Sequence, residues 1–475
     1  MKSTAIVSPT PDEKCNPPLG AKHPFVVPRR ASELTPEWLT AALHWKRLLP
    51  ESARVVSVSH KPIGDGVMGD ISAVDITYST STTGAPTRLV AKFSPTGKAP
   101  LPGFIVRAIF KAESSFYNNF SVANGGVPRP ECYLALYDKR RRTPSFCLLL
   151  QDMQPATMYV RVVPKERACG LADKPALMAF MGAIAKLHAS WWEHPKVFTR
   201  RSNRSVPELL SPPLQILSLS LLTTRASSRL SQAPPLDWVT HPSSDLCGLV
   251  LRAFMRTAKL GLPALVKLFP QTYAPIASWL PALRRRHRFI VSECLRPPLT
   301  LTHGDAHIEN AFFSDAGSSK DGGVDAAIID FGNMMFSPGT SDIAFFMVHS
   351  LDVDVRRAVE MDLLAHYHAS LVANGVDPLR YTYERCLHDY RFNTWRALLS
   401  VCAMAPALLK DFRGKRGVFA PEARMTEEER KTRATYEALN TRCVAALQDH
   451  KWLELLIEEG GTESCGLCSG MTLCY

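Results

Sequence analysis

The chain has 475 residues, 46% of them hydrophobic and 21% charged, a composition that excludes collagen-like, coiled-coil and largely disordered proteins. No run of ~18 apolar residues exists, which excludes a transmembrane helix. The net charge is +12, and it is concentrated: residues 191–300 hold 15 Lys and Arg against 5 Asp and Glu. Such an excess suits an anionic substrate, a membrane surface or nucleic acid, and it suits a plain solvated basic face equally well.

Residues 1–30, rich in Pro, Lys and Ser, read as a loose leader without the apolar stretch of a secretory signal. A short helix is expected from Ser32, with Pro36 in its first turn and acids near the positive end of its dipole. Residues 55–78 alternate and are β-branched, with Gly64, Gly66 and Gly69 in the middle, which spells strand, glycine turn, strand. A Ser/Thr/Gly/Pro loop at 79–87 leads to a third strand at 89–93. A helix follows at 105–120, then two strands at 132–137 and 146–150 joined by a basic turn. Residues 31–150 therefore read as a small, mostly antiparallel sheet carrying one helix.

After Gln151 the pattern changes. Phe180, Ile184, Leu187 and Trp191 recur with helical spacing, one buried face of an amphipathic helix. Residues 196–245 carry repeated Pro, Ser and Arg and read as an insertion. Helix is expected at 249–268, 355–374, 424–446 and 452–459, with short apolar strands at 299–302 and 326–329. Residues 151–460 thus form a mainly helical part. The tail, 461–475, places Cys465, Cys468 and Cys474 at short spacing, but no fourth zinc ligand is evident nearby. With no secretory signal, the 12 cysteines read as reduced thiols of a cytoplasmic chain.

The strongest chemical signal is Leu301-Thr302-His303-Gly304-Asp305-Ala306-His307-Ile308-Glu309-Asn310, followed by Ile328-Ile329-Asp330-Phe331-Gly332. Phosphoryl transfer asks for these residue types in this order. One carboxylate orients the acceptor hydroxyl and takes its proton, which suits Asp305. A second carboxylate and an amide oxygen hold Mg²⁺ against the phosphates, which suits Asp330 and Asn310. Gly64-Asp65-Gly66-Val67-Met68-Gly69 is a G-x-G-x-x-G between two strands rather than between strand and helix. That context argues against a dinucleotide fold and for a hairpin covering phosphates. Lys92 lies inside the third strand, where a lysine is ordinarily a solvent-facing residue, and Glu113 on the next helix is its expected ion-pair partner.

Together these motifs resemble the kinase-like fold, in the branch of aminoglycoside phosphotransferases, choline kinases and ecdysteroid-kinase-like (CHK-type) proteins. HGDAHIEN resembles that branch's H-G-D-x-x-x-x-N, and Val90-Ala91-Lys92 resembles the strand that delivers a lysine to the α- and β-phosphates. Leu187-His188-Ala189 with Trp191-Trp192 resembles the helix after the hinge. Gly339-Thr340-Ser341-Asp342-Ile343-Ala344 resembles the G-x-x-D-[LI]-A segment. The resemblance runs from about residue 32 to about 400, with 196–298 poorly matched. It implies a two-lobed α+β architecture: a small antiparallel N-lobe and a mainly helical C-lobe. It also implies ATP and Mg²⁺ as cofactors, and an adenine-binding hinge near Gln151 and Met153. His303 would brace the catalytic loop, His307 would lie near the acceptor or serve structure, and Asp342 would cap or brace rather than catalyse.

Gly304 stands where protein kinases carry Arg, and only 12 residues separate Asp330 from Asp342, too few for an activation segment. A small-molecule acceptor is therefore favoured over a peptide. The basic stretch fits a neutral or anionic acceptor better than a polycation, although Tyr383, Glu384, Asp389, Tyr390 and Trp395 could line a cation pocket. The expected activity is Mg-ATP-dependent phosphorylation of a small-molecule hydroxyl. Two alternatives stand beside it. One is a nucleotide-binding pseudokinase, whose hallmark would be a lost catalytic Asp or metal ligand. The other is a nucleic-acid or membrane-surface binder using Arg200, Arg201, Arg204 and the run from Arg284 to Arg288, for which no aromatic interleaving is present.

Overall fold

The computed structural model describes residues 24–63, 69–82, 84–95, 103–120, 126–138, 145–154, 156–159, 169–194, 239, 261–279, 282, 286, 289–290, 293, 296–315, 323–413 and 424–459. Five antiparallel strands form the N-terminal sheet: β1 (Val55–Pro62), β2 (Asp70–Tyr78), β3 (Arg88–Phe93), β4 (Cys132–Asp138) and β5 (Ser145–Gln151). Their spatial order is β1-β2-β3-β5-β4. The alternation of β3 decides what each face does. Leu89, Ala91 and Phe93 are fully buried against helix α1 (Pro36–Trp45) and its surroundings, which turns Lys92 to the opposite face. That face is covered by α2 (Gly103–Asn119), whose Phe110 stacks on Phe146 of β5 at 4.7 Å.

Local chemistry explains the entry helix. Thr35 accepts a hydrogen bond from the Trp38 N–H and Pro36 occupies the first turn, a cap that contributes about 1 kcal/mol. The end of the leader is packed rather than loose. Val27 is buried, Phe25 meets Trp38 and Trp45 edge-on, and the Trp38 indole N–H donates to the Val26 carbonyl.

The C-terminal part is mainly helical. Helix α3 (Lys174–Ser190) packs along α5 (Val353–Ala373), and α4 (Thr340–Ser350) runs buried over its whole length. Helices α6 (Tyr383–Asn393), α7 (Trp395–Arg413), α8 (Glu427–Asp449) and α9 (Trp452–Glu459) complete it. Two small two-stranded sheets carry the chemistry-bearing loops: β6 (Thr300–Thr302) with β9 (Met335–Ser337), and β7 (Ala311–Phe313) with β8 (Ala326–Ile328). One hydrophobic core runs from α2 through Leu301, Ile328 and Phe331 to α3, α4 and α5, so the two parts share an interior. Among the described residues no helix is long and apolar enough to cross a membrane.

Most expected elements are present within a few residues. The helix expected at 424–446 is α8, which a capping box at Thr426 and Glu429 starts at 427 and which runs on to 449. The helix expected at 249–268 is described only from 261 onward. The glycine turn at 64–68, all but one residue of the 196–245 insertion and the cysteine tail lie outside the described residues. Helices α6 and α7 were not expected. In the basic run, Arg286 is described, and its guanidinium donates to the Leu456 carbonyl at 2.7 Å rather than offering charge to a partner.

Candidate active site

Three charged side chains from distant parts of the chain meet between sheet and helices. Lys92 Nζ donates to Glu113 Oε1 of α2 at 2.9 Å and to Asp330 Oδ1 at 3.1 Å. Burial alone would discharge the lysine, but the two carboxylates outweigh it and hold Lys92 charged, its pKa raised. Burial pushes the Glu113 carboxyl up to about 7, with Lys92 opposing and the negative charge of Asp330 adding to the rise. Burial also works against the Asp330 charge, yet Lys92 and the Gly332 N–H keep that carboxyl below its ordinary value. Asp330 follows β8 and adopts a left-handed conformation, φ 65°, unusual for a residue with a side chain. Phe331 behind it stacks on Phe116 of α2 at 3.8 Å, tying this loop to the same helix that delivers Glu113.

The loop after β6 is held from its backbone. Asp342, buried in the first turn of α4, accepts from the His303 N–H at 2.6 Å and the Gly304 N–H at 3.0 Å. It also accepts from His188 Nε2 of α3 at 3.2 Å, while the Tyr367 hydroxyl of α5 lies 2.8 Å from His188 Nδ1. Burial opposes the charge on Asp342, and these donors still draw its pKa below the ordinary value. His303 Nε2 lies 2.9 Å from the Ile329 carbonyl and its Nδ1 accepts from the Asp305 N–H at 3.2 Å, which fixes the ring as the Nε2–H tautomer. Gly304 has φ +83°, and a Cβ there would overlap the Asn333 carbonyl oxygen. The position therefore admits only glycine.

Asn310 Nδ2 donates to the Asp305 carbonyl at 2.9 Å and to His307 Nε2 at 3.1 Å. Those two bonds use both amide hydrogens and leave Oδ1 for another partner. An amide oxygen and the Asp330 carboxylate are hard oxygen donors, the chemistry Mg²⁺ selects, so this pair fits such an ion. The Ile329 N–H donates to the Asn310 carbonyl at 3.0 Å, which sets the segments carrying Asn310 and Asp330 side by side. His307 Nε2 lies 3.8 Å from Asp305 Oδ1.

Elsewhere the expected residues divide. Gly64 and Gly66 lie outside the described residues. Gly69 is described, and a Cβ there would overlap the Phe93 carbonyl, so the start of β2 approaches β3 as only glycine permits. Gln151 ends β5 and exchanges hydrogen bonds with the Glu131 backbone, donating from its N–H at 2.8 Å and accepting at its side chain at 3.2 Å. Met153 is largely buried and its carbonyl accepts from the Ala156 N–H. Tyr390 and Trp395 are core residues: the Tyr390 hydroxyl donates to buried Glu360, and Trp395 stacks on Trp452 at 5.0 Å. Neither is open to a ligand.

Sequence reading missed two contributors. Asn333 Nδ2 donates to Asp305 Oδ2 at 3.4 Å, and Arg396 of α7 reaches the Gly304 carbonyl at 3.4 Å. Asn333 lies three residues after Asp330 and could have been found by reading the DFG segment further. Arg396 had no motif to announce it.

A five-stranded antiparallel sheet with one crossing helix, a helical second part, a sheet lysine paired to the helix and to a DFG aspartate, and a braced HGD loop make up a two-lobed, kinase-like fold. Residues 276–379 match the family model described as the ecdysteroid kinase-like family. That stretch spans the HGD loop, the DFG segment and α4. No curated protein sequence matches the chain. Among solved structures, the chain is similar to a Ralstonia eutropha protein assigned as an aminoglycoside phosphotransferase, with 13% identity, TM-score 0.41, and coverage of 85% of this chain and 98% of that one. It is similar to a Plasmodium vivax ethanolamine kinase, with 11% identity, TM-score 0.40, and coverage of 85% and 87%. It is also similar to a choline/ethanolamine kinase family protein from Mesorhizobium loti, with 13% identity, TM-score 0.38, and coverage of 84% and 91%. At these scores the fold description rests on the elements described above.

Proposed function

We propose that the chain transfers the γ-phosphoryl group of ATP to a hydroxyl of a small molecule. One observation carries this reading. Lys92, Glu113 and Asp330 converge from three segments onto one charged cluster, beside a loop that presents Asp305 and Asn310. The hallmark expected of a pseudokinase, a lost catalytic Asp or metal ligand, is not present at these positions.

In this reading Lys92 contacts the α- and β-phosphates, and Glu113 keeps its ammonium aimed. The glycine motif from Gly64 to Gly69 would supply backbone N–H groups to the phosphates. Asn310 and Asp330 hold Mg²⁺, which supplies charge neutralisation on the transferring group. Asp305 orients the acceptor hydroxyl and takes its proton, with Asn333 fixing one of its oxygens. His303 and Asp342 hold the loop so that Asp305 needs no reorganisation, and positioning with electrostatics supplies most of the rate. Adenine would be read by backbone groups near Gln151 and Met153. A neutral or anionic acceptor fits the basic stretch at 191–300 better than a polycation. A cytoplasmic location accords with the six described cysteines, all free.

The test is thermal unfolding with ATP, with and without Mg²⁺, on wild type, Asp330→Ala and Asp305→Asn. Saturation at ~100 times Kd adds about 2.7 kcal/mol. A Mg-dependent shift that Asp330→Ala loses and Asp305→Asn keeps is expected, together with phosphate transfer that both variants lose. A shift in wild type without transfer to any acceptor or to water would instead favour the pseudokinase. No shift at all would overturn the nucleotide site.

A further inference from the structure

We infer that Arg396 is a positioning residue for Asp305, supplying from α7 the cationic anchor that the catalytic loop cannot carry itself. The inference rests on the kinase reading above. Gly304 precedes the catalytic aspartate, and its positive φ and its contact with the Asn333 carbonyl forbid any side chain there. Any side chain that holds the loop backbone at this point must come from another element. Arg396 meets that need. One terminal nitrogen lies 3.4 Å from the Gly304 carbonyl and 3.4 Å from Met335 Sδ, and the other lies 3.3 Å from Ser341 Oγ.

Those contacts touch three segments at once: the loop after β6, strand β9 beyond the DFG turn, and the first turn of α4. Asp342 already holds the two N–H groups of His303 and Gly304. Arg396 holds the carbonyl of the same peptide unit's neighbour, so the backbone entering Asp305 is gripped at donors and acceptor alike. Among the described residues no carboxylate lies within ion-pair distance of Arg396, and its charge acts on Asp342 as a through-space partner. The guanidinium is thus directed at backbone and hydroxyl acceptors, the geometry in which a planar multi-donor group outperforms an ammonium. Its position at the start of α7, one residue after the buried Trp395, fixes where the side chain leaves the helix.

The test uses the full chain with Mg-ATP and water as acceptor, reading phosphate release, alongside hydrogen exchange of peptides covering residues 301–310 and 340–350. Arg396→Met is expected to lower kcat about tenfold with KM for ATP unchanged, and to raise exchange at 301–310 several-fold while 340–350 keeps its protection. Arg396→Lys is expected to recover part of kcat, and guanidinium added to Arg396→Ala to recover part of it as well. Unchanged kcat and exchange in Arg396→Met would overturn the inference. So would a loss of protection spread through both peptides with no rescue by Arg396→Lys, which would mark a merely structural residue. If wild type neither binds nor hydrolyses Mg-ATP, the kinase reading fails, and the exchange at 301–310 still decides whether Arg396 anchors the loop.

Discussion

The two halves of the site are held by different forces. On the side proposed to hold a nucleotide, Lys92, Glu113 and Asp330 form an ion cluster that joins sheet, α2 and the DFG turn across the lobes. On the side proposed for the acceptor, the HGD loop is fastened by hydrogen bonds from its own backbone to Asp342, with His188 and Tyr367 behind. An ion cluster between lobes answers to pH and to the charge of what binds. A backbone brace inside one lobe, gathered on one buried carboxylate, answers far less to what binds. In the proposed function, adjustment is left to the side where the nucleotide would enter.

That contrast can be broken most severely at Asp342. Asp342→Ala leaves the His303 and Gly304 N–H groups and His188 without their common acceptor in a buried place. The expected cost is about 3–5 kcal/mol, read from the urea midpoint. A midpoint shift under about 1 kcal/mol would mean that the brace is not what holds the loop. Gly304→Ala is milder. Positive φ costs a β-carbon roughly 1–2 kcal/mol, and the overlap with Asn333 adds to it. We expect about 2–3 kcal/mol of destabilisation and impaired transfer with Mg-ATP affinity unchanged; weakened nucleotide binding would show that the two halves are not separate.

The smallest effect belongs to the ion cluster. Glu113 is raised to about 7, so between roughly pH 4.5 and 7 the folded chain holds a proton that the unfolded chain has released. Its contribution to stability is therefore full below the unfolded value and is lost as pH rises through the folded one. Wild type should lose stability as pH rises across that window, and Glu113→Gln should lose that slope. Parallel stability curves for the two proteins would refute the assignment.

Much of this was legible in the residues. Period two placed Lys92 on the face opposite Leu89, Ala91 and Phe93, and the motif order placed Asp305, Asn310 and Asp330 in adjoining segments. Helix spacing found α3 and α5. What escaped was chemistry that depends on tertiary approach. Arg396 is an ordinary arginine until α7 is docked beside β9. Tyr390 and Trp395 looked available to a ligand, but their partners, Glu360 and Trp452, lie 30 and 57 residues away and claim them for the core. Helix α6 escaped because half of its buried stripe, Cys386, Asp389, Tyr390 and Asn393, is polar, whereas α7 carries a regular stripe, Leu398, Val401, Cys402 and Ala405, that helix spacing could have found.

Phe116 has a consequence beyond the site. Its ring belongs to α2, yet it stacks on Phe331 and shares an interior with Leu301, Ile328 and Trp191. A cut at the boundary between the sheet part and the helical part would strip water-shy surface bare on both pieces. Neither piece could then be treated as a module to be moved, swapped or expressed alone. In this chain the seam that bears the proposed site is also part of what makes the polypeptide a single folding unit.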